Sequence, residues 1–456
     1  MHDESDAIAA ISTPVGIGSI SAVRVSGCKS IEFADKIFKS FDGKKLQDIP
    51  GYRAKYGRIL YEREVLDEVV ALVFKAPKSY TGENSVDFFC HGGVVICKQI
   101  LNALLSVGVR LAMPGEFSKR AFLNGKISLD KAEAIADLIS SEFEKSKKIS
   151  LSAFNGETGN KIENIKKNLL EIFTNINAKI DYPEDDFSEF SNKNIETQIT
   201  KLNNEIKQLV ESFKFGKIIK CGIKTAIVGS PNVGKSTLMN LLSKKERSIV
   251  TDIPGTTRDI IEETILLGNI PLILTDTAGM RETDEVIEKL GAKKALELAH
   301  TADLIFYVID ASKDLDKYNI DLMKKFKKNK IVAILNKIDL NHNIDVETLK
   351  KISFRVVKIS AKKNIGINNL ENSIYDFIGI SSLKNENLII TNQRQFEILK
   401  KVKNLLEKMT NFLNMDRWDI LAELIKESIE ILGEFSGINV NETVIDEIFS
   451  KFCLGK

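Results

Sequence analysis

Gly229-Ser-Pro-Asn-Val-Gly-Lys-Ser-Thr237 contains the residues of this chain best placed to do chemistry. Its Gly-x-x-x-x-Gly-Lys-Ser spacing turns backbone N–H groups inward on phosphate oxygens, and a following helix N-terminus adds positive potential. Lys235 would reach the β- and γ-phosphates of a nucleoside triphosphate, and the Ser236 hydroxyl would sit on Mg²⁺. Asn232, Val233, Gly234 and Thr237 supply the rest of the cradle. Such a loop needs a strand behind it and a helix ahead. Thr225-Ala-Ile-Val228 reads as a buried strand, and Leu238, Leu241 and Leu242 open a helical pattern.

Further segments follow in the order a GTPase requires. In Gly255-Thr-Thr-Arg258, Thr257 would give Mg²⁺ a second hydroxyl. Asp276, Thr277, Ala278 and Gly279 follow the apolar run Leu272-Ile-Leu274; Asp276 would hold the metal through water, and the Gly279 N–H would sense the γ-phosphate. Asn336, Lys337 and Asp339 follow a strand-like Ile331-Val-Ala-Ile-Leu335. Asp339 can accept hydrogen bonds from N1 and N2 of guanine. Adenine has a donor at neither position and would leave the carboxylate unpaired. Ser360, Ala361 and Lys362 form a turn that can offer a backbone N–H to guanine O6. A coincidental glycine turn is the competing reading, and the ordered set argues against it.

Hydrolysis needs more than binding. Many GTPases place a Gln after the D-x-x-G turn to orient the attacking water; here Met280 stands there. Arg258 and Arg281 lie in the expected switch regions, but neither is an obvious arginine finger. Two readings of Asn232 therefore stand side by side. With Thr251 to Thr256 wrapping nearby, it could hold a monovalent cation, or it is a turn former after Pro231. Water positioning falls to a polar residue between Arg281 and Lys289, with Glu282, Asp284, Glu285 and Glu288 as unranked candidates.

The surrounding chain must position these groups. Its 456 residues fit two to four domains, and 43% hydrophobic content fits packed cores. The 65 basic and 63 acidic residues leave a net charge of +2, so any contact with RNA must be a local patch. Five scattered cysteines with no C-x-x-C pair, and four histidines, argue against a zinc site and for free thiols in a reducing cytoplasm. The acidic start, Met1 to Asp6, has no signal-like apolar segment, and no apolar run approaches membrane-spanning length.

The expected organisation is multidomain. Residues 1–120 read as an α+β domain, with strand-like Gly18–Val25, Glu68–Phe74 and Ser85–Phe89 and a helix at Ile96–Leu105. Residues 121–215 and 381–456 read as two parts of an all-α domain, and residues 216–380 as an inserted α/β P-loop GTPase domain of Ras-like type. Ile162, Ile165, Leu169, Ile172, Ile176 and Ile180 recur at helical spacing, as do Ile195, Ile199, Leu202, Ile206 and Leu209. Leu399, Val402, Leu406, Met409 and Leu413 repeat it after the insertion, followed by Leu421, Leu424, Ile425, Ile429 and Leu432. Pro183 breaks the first run, and Glu184 to Asp186 read as a solvated turn. Three N-terminal loops carry more glycine and polar residues than a scaffold needs: Tyr80-Thr-Gly-Glu83, Cys90-His-Gly-Gly93 and Pro114–Lys126.

These loops, the GTPase segments, Leu129-Asp-Lys-Ala-Glu-Ala-Ile-Ala-Asp137 and the terminal Phe452-Cys-Leu-Gly-Lys456 together resemble the MnmE (TrmE) family of tRNA modification GTPases. The likeness runs from Thr13-Pro-Val-Gly-Ile-Gly18 to the last residue. It implies an N-terminal tetrahydrofolate-binding domain that dimerises, a helical domain from both flanks and the inserted G domain. It implies a homodimer that assembles with an MnmG-like FAD protein, as a heterotetramer or larger. The complex would install an aminomethyl or carboxymethylaminomethyl group on C5 of the wobble uridine of tRNA. The methylene would come from 5,10-methylenetetrahydrofolate, for which 5-formyltetrahydrofolate is an analogue.

Carried over by position, the folate contacts would be Arg24, Asp87, Lys126 and Lys456. Asp87 departs from the family's Glu and is one methylene shorter. Asn232 matches the family's potassium-binding Asn, and Thr251, Ile253 and Thr256 match the remaining potassium ligands on a loop that includes Asp252, Pro254 and Gly255. Glu288 matches the general base, and Cys453 a thiol nucleophile on the uracil ring, with a small packing residue as its alternative. The opposing functional reading is a ribosome-assembly GTPase acting as an RNA-binding switch, because relatives of that kind share the P-N-V-G-K-S loop. A KH module would then be expected after the G domain, where residues 381–456 give amphipathic helices instead.

Overall fold

The computed structural model describes residues 6–181, 192–245, 263–268, 270–274, 301–340, 344–379, 388–412, 417–453 and 455. Its contacts divide the chain into two units. The first comprises Met1–Ala136, Phe154–Lys166 and Ile429–Lys456; the second comprises Asp137–Ala153 and Lys167–Ser428.

The first unit is built on seven strands. They are β1 (Ile8–Ile11), β2 (Ile20–Ser26), β3 (Phe38–Ser40), β4 (Arg53–Tyr61), β5 (Glu64–Phe74), β6 (Ser85–His91) and β7 (Arg110–Leu111). Their order is β3-β4-β5-β6-β2-β1-β7, antiparallel throughout except for the β1–β7 pair. Val23, Val25, Val69, Ala71, Val73, Val86 and Phe88 occupy alternate positions and are buried in one core with residues of helices Ser30–Ile37 and Val94–Ser106. Period-two geometry sends the residues between them to the other face. Arg24 and Asp87 are two of these, and the register sets them directly opposite each other on β2 and β6. A second cluster joins Ile8, Ala10 and Ala112 to Phe117 of helix Glu116–Leu123. A third joins Leu129 and Ala132 to Ile445, Phe449 and Phe452 of the C-terminal segment.

The second unit contains six strands: β8 (Ile223–Val228), β9 (Glu263–Leu267), β10 (Ile270–Leu274), β11 (Leu304–Asp310), β12 (Ile331–Asn336) and β13 (Arg355–Lys358). Their order is β13-β12-β11-β8-β10-β9, parallel except for β9, which forms a hairpin with β10. Separate buried clusters line the two faces. That double burial explains why β11 and β12 are apolar almost without interruption and buried along their whole length. Helix Asn192–Cys221 lies along Gln393–Phe412, with Phe213 stacked on Phe396 at 4.2 Å. That helix runs through Phe215 to Cys221, and β8 begins at Ile223.

The periodic residues of the helical runs are buried as their spacing demands, from Ile162 to Ile176 and from Ile195 to Leu209. Ile180 departs from the pattern at 43% exposure. It lies in the last turn before Asp181, at the end of helix Glu157–Asp181. The chain is therefore multidomain, with an α+β N-terminal region, an all-α region and an inserted α/β P-loop domain. Among the described residues no helix is long and apolar enough to cross a membrane. Pro183 and the acidic residues after it lie outside the described residues, as does Leu413.

Candidate functional site

At the end of β8 the chain turns through residues 229–234 into helix Lys235–Lys245. Asn232 (φ +60°) and Gly234 (φ +94°) both take left-handed backbone, which curls the loop on itself. A Cβ on Gly234 would come within 2.3 Å of Asn336 Nδ2, so the position excludes a side chain on both counts. Lys235 Nζ donates to the carbonyls of Gly229 and Ser230 at 2.9 and 2.7 Å, which holds the ammonium over the loop. Ser230 Oγ donates to Asn319 Oδ1, which also accepts from the buried Tyr307 hydroxyl. Ser236 and Thr237 stand exposed in the first helical turn.

Asn336 joins the base-side segments to this loop. It is 2% exposed, its Nδ2 donates to the Val233 carbonyl at 2.9 Å, and its Oδ1 accepts from the Ala361 N–H at 2.9 Å. Lys337 takes positive φ, and its Nζ donates to the Asn232 carbonyl at 2.8 Å and to Asp310 Oδ2 at 2.6 Å. Burial raises the Asp310 carboxyl, but hydrogen bonds from Lys337 and Ser312 outweigh it and hold the group below its ordinary value. Asp339 accepts from the Ser360 hydroxyl at 2.7 Å, and that bond keeps its carboxyl low. An anionic Asp339 is the state that can accept two N–H groups from guanine.

Neither the two bonds of Asn336 nor the Asp310–Lys337 pair is marked in the sequence. The order of the motifs was the available signal, because an Asn that ends a buried strand must find partners for its amide. Thr251, Asp252, Ile253, Pro254, Gly255, Thr256, Thr257, Asp276, Thr277, Ala278, Gly279 and Glu288 lie outside the described residues, as does Lys456. The donor set present fits a nucleotide on a phosphate loop. The Asn232 carbonyl is held by Lys337, and its positive φ suits the turn-former reading without opposing the other.

In the first unit, Arg24 Nε and Nη2 donate to the two oxygens of Asp87, both at 2.8 Å. The pair is bidentate, and Asp87 is buried. The Asp87 bond, ahead of the opposing burial, raises the guanidinium pKa above its ordinary value. Arg24 also lies against the rings of Tyr80 and Phe117, at 5.7 and 6.0 Å. The Tyr80 hydroxyl bonds to Ser118 Oγ at 2.8 Å. These aromatics come from two of the glycine-bearing loops, so the structure joins features that are scattered in the chain.

Lys126 donates to the Pro77 carbonyl at 3.0 Å, and a Cβ on Gly82 would approach its side chain at 3.3 Å. A buried charge network fixes the same loops. Arg120 contacts Asp6, Glu83 and Glu116 at 2.8, 3.2 and 3.0 Å, and Glu83 accepts from Ser26 at 2.9 Å. The C-terminal segment arrives here too. The Cys453 carbonyl accepts from the Gly115 N–H at 3.4 Å, and Gly455 packs against Ile11 so closely that a Cβ would meet its carbonyl at 2.3 Å.

Cys453 is exposed, as are Cys28 and Cys221. Cys90 is buried, and burial, then the Cys97 thiol beside it, pushes its pKa up to about 12. No group of His, Cys, Asp and Glu among the described residues is arranged to hold a metal ion.

Two family models match the chain. The MnmE helical domain matches residues 129–453, and the GTP-binding protein TrmE N-terminus matches residues 7–126. A tRNA modification GTPase MnmE of Clostridioides difficile is 39% identical over 99% of this chain and 99% of its own length. Proteins of the same name from Acetivibrio thermocellus and Caldicellulosiruptor saccharolyticus are 40% and 41% identical over 99% of this chain and 100% of theirs. Among solved structures, the G domain of the T. maritima FeoB iron transporter matches at 26% identity over 34% of this chain and 98% of its own, with a TM-score of 0.26.

Proposed function

This chain belongs to the MnmE family of tRNA modification GTPases, and on that premise we propose that it spends GTP hydrolysis on C5 of the wobble uridine of tRNA. It is a GTP hydrolase of tRNA modification. The observation that carries the mechanism is the bonded link Val233–Asn336–Ala361, which ties the phosphate loop to the base-reading segments. Asp339 reads guanine N1 and N2, and the turn at residues 360–362 meets O6. Lys235 leaves its loop carbonyls for the β- and γ-phosphates. Mg²⁺, held by Ser236 and Thr257, would neutralise phosphate charge when bound. K⁺ on Asn232, Thr251, Ile253 and Thr256 would supply the positive charge an arginine finger gives elsewhere. Glu288 orients the attacking water.

The N-terminal segment, residues 1–120, is the folate-binding and dimerising domain in this reading. Residues 121–215 and 381–456 form the helical domain, and residues 216–380 the G domain. Arg24 and Asp87 act on the folate as one unit, since each already holds the other, while Lys126 and Lys456 meet its anionic tail. When bound, 5,10-methylenetetrahydrofolate supplies the one-carbon unit. Cys453 serves as nucleophile toward the uracil ring. The working assembly is a homodimer joined to an MnmG-like flavoprotein in the cytoplasm.

Glu288→Ala tests the hydrolytic half. GTP affinity stays within about twofold while turnover falls by about two orders of magnitude. Near-normal turnover would remove Glu288 from the mechanism.

A further inference from the structure

The parallel strands β8, β11, β12 and β13 end at the phosphate loop, Asn336 and the turn at residues 360–362. Their N-terminal ends form the opposite edge of that sheet. Three bonds make this edge continuous. The Asp303 N–H donates to the Lys224 carbonyl at 2.8 Å, Lys330 Nζ donates to the Ala302 carbonyl at 2.7 Å, and the Phe354 N–H donates to the Ile331 carbonyl at 2.8 Å.

The edge is basic. Residues 324–330 carry five lysines and no acid in a chain whose total is 65 basic to 63 acidic. Some other exposed lysines are paired with carboxylates along their helices, as in Glu144–Lys148, Lys403–Glu407 and Glu447–Lys451. Here Lys324 reaches Asp321 at 3.6 Å, whereas Lys325, Lys327 and Lys328 have no ion-pair partner among the described residues. Asp376 is bonded to Arg355, and Asp303 stands exposed at the strand end. Phe354, whose N–H bonds to Ile331 directly after the lysine run, is 37% exposed and meets Phe377 edge-on at 5.9 Å, so an exposed aromatic lies at the same strand ends.

We propose that this edge, centred on Lys325, Lys327 and Lys328, docks the phosphate backbone of the tRNA substrate on the side of the G domain away from the nucleotide. The proposal rests on the tRNA-modifying reading above. Clustered lysine without interleaved acid suits a polyanion and carries no base code, so it sets affinity and not sequence preference. An exposed aromatic at the same strand ends suits an unstacked base. Placement opposite the phosphate loop leaves the nucleotide face free for its own contacts.

The test uses the full chain with Lys325, Lys327 and Lys328 all changed to Gln, and a second variant with all three changed to Glu. Binding of unmodified tRNA is followed by filter retention at fixed KCl with NaCl varied. The Gln variant should bind about tenfold more weakly at moderate salt, and the slope of log K against log salt should become shallower by about 2. The Glu variant should bind more weakly still, and GTP turnover without tRNA should stay unchanged in both.

Wild-type affinity and slope in both variants, or no measurable tRNA binding by the wild type, would overturn the proposal. Unchanged affinity with lost modification in cells would assign the lysines to an acidic protein and also overturn it. Nucleoside analysis of a deletion strain separates this failure from failure of the tRNA reading. Modification lost on deletion but indifferent to the lysines sinks only the docking surface.

Discussion

The phosphate loop and the Arg24–Asp87 pair hold charge in different ways. The loop is a contiguous stretch whose positive potential comes largely from backbone N–H groups and one lysine, shaped by left-handed residues at 232 and 234. The Arg24–Asp87 centre joins residues far apart in sequence through strand register, and Tyr80 and Phe117 wall the guanidinium from two further loops. Backbone sites tolerate little change in shape. Side-chain sites tolerate shape changes but depend on charge pairing. The two regions should therefore fail differently under mutation.

The largest effect belongs to the loop. Gly234→Ala forces a Cβ onto positive φ and against Asn336, so GTP affinity should drop by about 1,000-fold, equivalent to about 4 kcal/mol. Circular dichroism should remain that of the wild type. Preserved affinity measured by fluorescent nucleotide titration would break the comparison at its stronger end. Asp339→Asn should weaken GTP by about 100-fold while strengthening binding of a xanthine nucleotide, because the amide can donate where xanthine offers a carbonyl and the carboxylate cannot. Competition titration with both nucleotides reads this.

Side-chain pairing should show a smaller effect with a different signature. Arg24→Ala leaves the Asp87 carboxylate buried and unpaired, which should cost about 2–3 kcal/mol of stability in urea melts. The double variant Arg24→Ala with Asp87→Ala should recover part of that loss, which a backbone site would not do. Additive losses would show that the pair is not a unit.

The smallest effect is in pH. Burial raises the Glu116 carboxyl, but bonds from Arg110, the Met113 N–H and Arg120 outweigh it and hold it below its ordinary 4.5. Its contribution to stability is therefore complete above pH 4.5 and lost as pH falls through the lowered value. Glu116→Gln should flatten the acid limb of the melting profile, and an unchanged limb would remove the group from that account.

The same contrast explains what could be read from the chain. The phosphate loop was legible because its chemistry is local, with strand, turn and helix start lying within a few residues. The fully buried β11 left no alternation to mark it, and the half-exposed β4 was masked by its charged residues. Arg24 and Asp87 were reached only through family resemblance. Their bidentate bond depends on the pairing of β2 with β6, and register is set by the packing of a whole sheet face. The packing of Gly115 on the C-terminal segment, and of Gly455 on Ile11, was likewise beyond local pattern, since only tertiary contact brings these distant parts of the chain together.

Mass spectrometry of tRNA nucleosides from cells lacking this protein tests its role in tRNA modification most directly. Aminomethyl-type wobble uridines should be lost, and restored by the wild-type chain but not by Glu288→Ala. An unchanged nucleoside profile would contradict that role and favour a ribosome-assembly GTPase, to be pursued through ribosomal subunit profiles.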